Sequence, residues 1–241
     1  MFKRPWKFWQ PHWHNKDNVR IFWYTIVSLI LAMALPYSVI NQIMGYYDTS
    51  VMDPIMTIDS AVPYIGWTFM VYLSLYLYYP AAAWFGRTDD TRIREMFAFY
   101  QALFLMTWAV FLIFILFPTE VYIRDQIPAD VRAGEGFWGF WFGDIMHNTD
   151  QPYNAWPSLH VVQSLTIVLL LRRWKIISGW KEALTWVAWV GLCISVMTTK
   201  QHFFWDLITG IITGLVCWYW MCIPAMDASS NEEWQEAFPS E

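Results

Sequence analysis

A chain of 241 residues that is 57% hydrophobic and 20% aromatic but only 15% charged is too apolar for a soluble domain of its size. Its composition points to a bilayer and to no nucleic-acid partner, and the formal net charge of -5 decides little because the charges are unevenly placed. Cys193, Cys217 and Cys222 all fall inside apolar segments, which excludes a disulfide framework and a cysteine-rich metal site.

Residues 1–20 set Lys3, Arg4, Lys7, Lys16 and Arg20 among Phe2, Trp6, Phe8, Trp9 and Trp13. This pattern reads as an arm on an anionic membrane surface or as a solvated tail. No small-residue cleavage site precedes the first apolar run, so that run is expected to stay as an anchor. It covers 21–39, roughly 28 Å as a helix, enough to cross the hydrocarbon core. Asp48, Asp53, Pro54, Asp59 and Pro63 then predict a loop or short helix over 40–63. A second span is expected over 67–85, ended or kinked at Pro80, and a third over 96–117 without a charge. Residues 118–156 form the one long hydrophilic connection, the kind that is usually functional. Further spans follow over 157–171, 183–197 and 207–223, and residues 224–241 read as an acidic solvated tail. The 21–223 segment is thus expected to be a single six-span domain.

Counting Lys and Arg across six spans puts the N-terminal five, Arg87, Arg92, Arg94, Arg172, Arg173, Lys175 and Lys181 on one side, and only Arg124, Arg132 and Lys200 on the other. Twelve against three predicts cytoplasmic termini. The three outer cations stand out because the insertion rule works against them.

They share their side with two histidines. If the chain turns helical near His202, Asp206 lies four residues on along the same face; its carboxylate can take one ring proton and leave the other nitrogen basic. Trp156-Pro157-Ser158-Leu159-His160 opens the fourth span on the same side. Proline in a first helical turn leaves the Ser158 and Leu159 amides pointing out at the positive end of the dipole, a ready phosphate cradle.

Pro157-Ser158-Leu159-His160, followed by Ser195 and then by His202 and Asp206, resembles the second and third signature motifs of the type 2 phosphatidic acid phosphatase superfamily, Pro-Ser-Gly-His and Ser-Arg-five residues-His-three residues-Asp. Asp59 to Pro63 and the Tyr-rich second span resemble the inositol phosphorylceramide synthase-like branch. The resemblance implies an all-α integral membrane protein with six transmembrane helices and a vanadium-haloperoxidase/acid-phosphatase-like core. It implies that His202 attacks phosphorus, Asp206 orients it, His160 protonates the leaving oxygen, and Ser158 with nearby amides holds the phosphoryl oxygens, with no metal or other cofactor. The substrate would be a lipid phosphate or phospholipid, with water or a second lipid alcohol as acceptor.

Three departures qualify the match. Leu159 replaces the motif's glycine, Val196 stands at its arginine, and the first motif, a lysine followed seven positions later by Arg-Pro, has no counterpart. Lys200, two residues before His202, is the better candidate for the missing cation, with Arg124 a positional stand-in. A site short of arginine suits a singly charged phosphodiester better than a phosphomonoester, which carries nearly two charges. Head-group transfer is therefore the alternative to hydrolysis, and non-catalytic lipid-phosphate binding is a further one. His147, flanked by Asp144 and Asp150, lacks paired ligand spacing and reads as solvated; His12 and His14 read as interfacial. Gly210 and Gly214 suit close helix packing, within one chain or between two. Ser158 lacks the strand-to-helix elbow of a serine nucleophile. A transporter would place charges at mid-bilayer and repeat its halves, and neither is seen.

Overall fold

The computed structural model describes residues 3–13 and 17–238 and is all-helical among them; the expectation for His14 lies outside these residues. Seven helices carry the fold: α1 (Asn18–Tyr47), α2 (Thr68–Leu73), α3 (Leu75–Gly86), α4 (Asp90–Leu116), α5 (Leu159–Arg173), α6 (Trp180–Thr198) and α7 (Phe204–Ala228). Of these, α1, α4 and α7 are long and apolar enough to cross a membrane.

The first helix runs past the predicted boundary at residue 39 and stops at Asp48, which adopts left-handed backbone with φ 49°. Pro36 does not break it. A widened turn over Ile30–Ala34 precedes the proline, and Ala32 O, which the proline cannot bond, accepts Trp108 Nε1–H at 3.0 Å. The same device, a widened turn over Trp218–Cys222, precedes Pro224 in α7. In the second predicted span the helix passes through Pro80 and breaks instead at Ser74, where α2 gives way to α3.

Helices α4 and α5 are the inner members. From Met96 to Phe104 every side chain of α4 is buried, on all sides of the helix, and the same holds for α5 from Val161 to Val168. A helix buried on every side sits at the centre of such a bundle, and Gln101, Gln163, Ser164 and Thr166 are buried with the apolar residues around them. Gly210 of α7 makes the tightest approach to α5: a Cβ there would lie 2.9 Å from Ser158 O and 3.1 Å from Val161 Cβ. The predicted close-packing glycine thus works within the chain.

Near both ends the described residues fold back onto the bundle. Trp9 is fully buried and stacks on Phe97 of α4 at 4.4 Å, and Gln101 of α4 accepts Trp6 N–H at 2.8 Å and donates to Arg4 O at 3.0 Å. Trp234 is buried too, packing on Trp13 at 5.6 Å and donating to Lys3 O at 2.6 Å. The basic ends of α4 and α5 gather here, where Arg173 bridges Glu95 and Asp227.

Residues 118–156 lie at the opposite end. Their neck is closed by Val121 N–H to Pro152 O at 2.8 Å and Thr119 N–H to Tyr153 O at 3.2 Å. Between these bonds the connection winds through short turns that pack tightly: a Cβ on Gly139 would come within 2.4 Å of the Gly134 carbonyl carbon. A connection held this way is a scaffold for side chains.

Candidate active site

Both histidines stand where helices begin, at the end of the bundle covered by 118–156. Ser158 is the residue before α5, with φ -64° and ψ 109°, so Pro157 lies one position outside the helix and not in its first turn. The Ser158 amide is also not free for an anion, because it donates to Asp206 O at 3.2 Å and so ties the start of α5 to the start of α7. What Ser158 does offer is its Oγ, buried and without a partner. Leu159 turns its side chain toward Phe111 and Phe114 of α4.

On the other strand of the site, α6 ends in a tight C-cap. Lys200 takes left-handed backbone, φ 57°, while its N–H reaches Met197 O and the Gln201 N–H reaches Val196 O. This is the usual two-bond helix stop with lysine in the glycine place, a local strain near 1 kcal/mol. The reversal aims His202 back over the bundle. Helix α7 begins only at Phe204, so His202 and Asp206 do not share a helical face as expected. They meet across the helix start. Asp206 Oδ2 caps Phe203 N–H at 2.9 Å and lies 3.4 Å from His202 Nδ1, an ion-pair distance and not yet a hydrogen bond. Both side chains are almost fully buried, and His202 Nδ1 and Asp206 Oδ1 have no other partner.

The two rings meet directly: His160 Nδ1 is 3.0 Å from His202 Nε2. On its far side His160 Nε2 is 2.7 Å from the Tyr72 hydroxyl. Nothing in the sequence marked Tyr72, since a tyrosine in an apolar span reads as an interfacial or packing group.

The cations divide differently from the sequence reading. Lys200 is wholly buried, and its ammonium is held by Val62 O at 2.5 Å, Gln126 Oε1 at 2.6 Å and Asp59 O at 3.1 Å. All three of its donors are committed, and burial pulls its pKa down. Arg124 instead borders a small cavity beside His202, where it donates to Gln201 Oε1 at 2.6 Å and Asp150 O at 2.7 Å and lies 3.6 Å from the Asp150 carboxylate. Arg132 is engaged with Asp125 and Ile127 O, and Val196 is an apolar buried contact.

Two acidic residues to which the sequence assigned no role in the site, Asp59 and Asp150, complete the frame. Asp59 accepts Phe204 N–H at 2.6 Å with one oxygen and Met56 N–H at 2.7 Å with the other, placing a carboxylate at the positive end of α7. Asp150 also accepts the Tyr37 hydroxyl at 2.7 Å. His147, expected to be solvated, is half-buried with Nε2 unpartnered; burial, then Arg124 and Arg132, push its pKa down to about 4.

Two spaces flank the histidine pair. The one lined by Arg124, Gln201 and His202 holds about 10 Å³, the room of a single water. The other is a chamber of about 570 Å³, mostly apolar, running between α1, α3 and α5, with His160, Tyr72, Tyr37 and Asp150 at its polar end. Its size is that of a ligand pocket. Tyr37 and Asp150 border both spaces, so a polar nook reached by His202 and an apolar chamber reached by His160 adjoin across them.

No curated protein and no solved structure matches the chain. Residues 54–220, more than half of it, match the PAP2 superfamily through the PAP2_3 family. That match contains Ser158, His160, His202 and Asp206, and the chain belongs to the PAP2 superfamily, with the phosphatase-like function which that membership supports.

Proposed function

We propose that this protein is an integral-membrane lipid phosphatase or phosphotransferase that cleaves a lipid phosphate ester through a phosphohistidine on His202. The observation that carries the reading is the 3.0 Å contact between His160 Nδ1 and His202 Nε2, backed by buried Asp206, at the junction of a polar nook and an apolar chamber. The chamber takes lipid chains; Arg124, Gln201 and the Ser158 hydroxyl take phosphoryl oxygens.

Binding must part the two rings, because the nook as it stands is too small for a phosphate. His202 Nε2 then attacks phosphorus while its Nδ1–H turns to Asp206, which stabilises the charged ring as it forms. The phosphorus–oxygen bond to the lipid breaks, and His160 Nδ1–H protonates the departing oxygen. In the second half His160 accepts a proton from the acceptor, whose oxygen takes the phosphoryl group from His202. Protein donors supply the charge stabilisation in each step. Lys200 serves by fixing the loops around Asp59 and Gln126 and does not bind substrate. We further propose six membrane crossings, formed by α1, α2 with α3, α4, α5, α6 and α7, with both termini cytoplasmic and the site at the outer face. The twelve-to-three distribution of basic residues supports this orientation.

A second reading, head-group transfer between lipids as in the inositol phosphorylceramide synthase-like branch, is favoured by one observation: the charge of Arg124 is shared with Asp150, and Lys200 is committed elsewhere. The cationic charge left for a dianionic monoester is small. The two readings separate when purified protein and its His202→Ala variant are incubated with chelator, once with phosphatidic acid and once with a phospholipid plus ceramide or diacylglycerol. His202-dependent free phosphate from the first identifies the phosphatase; His202-dependent transfer product from the second identifies the transferase. Turnover that survives in His202→Ala, or that stops on chelation, contradicts the mechanism.

A further inference from the structure

Among the described residues Tyr72 is the one polar group bonded to the back of His160, and its ring is held by stacking on Phe69 at 5.9 Å and by burial to 4% exposure. Its place follows from proton arithmetic. For His202 to attack through Nε2, that nitrogen must be bare and its proton must sit on Nδ1 toward Asp206. The 3.0 Å contact then requires the proton on His160 Nδ1. With His160 neutral, its Nε2 is an acceptor and Tyr72 donates. With His160 doubly protonated and ready to act as an acid, Nε2–H donates and the Tyr72 oxygen accepts. A hydroxyl alone among the apolar and amphipathic side chains can serve both states.

We infer that Tyr72 is a positioning residue that fixes the tautomer of His160 through the reaction, keeping Nδ1 toward phosphorus as proton donor in the first step and proton acceptor in the second. The inference rests on the phosphohistidine reading above. In the first step His202 Nε2 forms a bond to phosphorus, the ester phosphorus–oxygen bond breaks with its electron pair on oxygen, and the His160 Nδ1 proton goes to that oxygen. His160 is left neutral with its remaining proton on Nε2, donated to Tyr72. Nδ1 is then bare, and it takes the hydroxyl proton of the incoming water or alcohol as that oxygen displaces His202 from phosphorus. Tyr72 itself neither gains nor loses a proton. Without it, Nε2–H would lose its 2.7 Å partner, and the opposite tautomer, with Nδ1 already blocked, would be favoured.

The test is Tyr72→Phe, which keeps the ring and its stacking, assayed for kcat/KM through release of the leaving group. Two substrates of equal phosphate charge are compared: a lipid phosphate, whose alkoxide needs a proton, and a 4-nitrophenyl phosphate, whose phenolate does not. The expected result is a loss of about 10- to 100-fold with the lipid ester and less than about 3-fold with the aryl ester. Equal losses with both substrates, or no loss with either, overturn the role of Tyr72. A wild type that releases neither leaving group and also forms no transfer product from a phospholipid overturns the phosphohistidine reading instead, so the two failures are told apart.

Discussion

The Arg124 guanidinium lies 3.6 Å from the Asp150 carboxylate and bonds the Asp150 carbonyl at 2.7 Å, so one residue of the covering connection holds the cation of the nook by both its main chain and its side chain. Arg124 is thereby positioned and partly neutralised at once.

Removing that neutralisation shifts substrate preference. In Asp150→Asn the amide oxygen keeps the Tyr37 contact while the negative charge is gone. The ratio of kcat/KM for a phosphomonoester to that for a phosphodiester is expected to rise by about 10-fold, an effect of one charge at short range in a partly screened site. Parallel assays of phosphatidic acid and a phospholipid check this, and an unchanged ratio would remove Asp150 from the account of specificity.

Gly210 tests the joint between α5 and α7. A Cβ 2.9 Å from Ser158 O cannot be accommodated without moving the backbone that carries Ser158 and His160. Gly210→Ala is expected to cost about 1–3 kcal/mol of stability and to lower kcat more than it raises KM. Thermal melting in detergent alongside steady-state kinetics reads both.

His147 ties stability to pH. Its pKa of about 4 in the fold lies below the ordinary 6.5, so the unfolded chain binds the proton first as pH falls. The fold is therefore most favoured above about pH 6.5, and this contribution is lost progressively as pH drops toward 4. With allowance for partial exposure the loss is on the order of 1–2 kcal/mol. His147→Gln should flatten the fall in melting temperature between pH 7 and 4.5; an unaltered slope would mean that His147 contributes nothing to it.

The N-terminal arm is structural in this account. Trp9→Ala removes a fully buried indole stacked on Phe97 and is expected to cost about 3–5 kcal/mol, visible as a large drop in melting temperature. A change of less than about 1 kcal/mol would return the arm to the membrane-surface segment or solvated tail that its sequence suggests.

The apolar segments, the helical class and the pairing of His160 with His202 were legible because each rests on a local signal: a long hydrophobic run or a motif at a helix start. The length of α1 was not, because the mixed composition of 40–63 reads as a loop from residue 40, whereas the helix continues to Tyr47 before Asp48 stops it. Nor were the roles of Lys200 and Arg124. Both are lone cations on the predicted outer side, and only the fold shows that Asp59, Val62 and Gln126 surround one while the nook receives the other. Trp9 and Tyr72 were hidden for a related reason: aromatic residues are so common here that a stacked core tryptophan and a histidine partner look like members of an interfacial belt.

The most direct test of the central claim is a rapid acid-free quench of the enzyme during turnover of a lipid substrate labelled at phosphorus, followed by peptide mapping. The account predicts one labelled peptide, acid-labile, with the phosphoryl group on Nε2 of His202, and no label in His202→Ala. Label on Ser158, or full turnover without any label on His202, would contradict it.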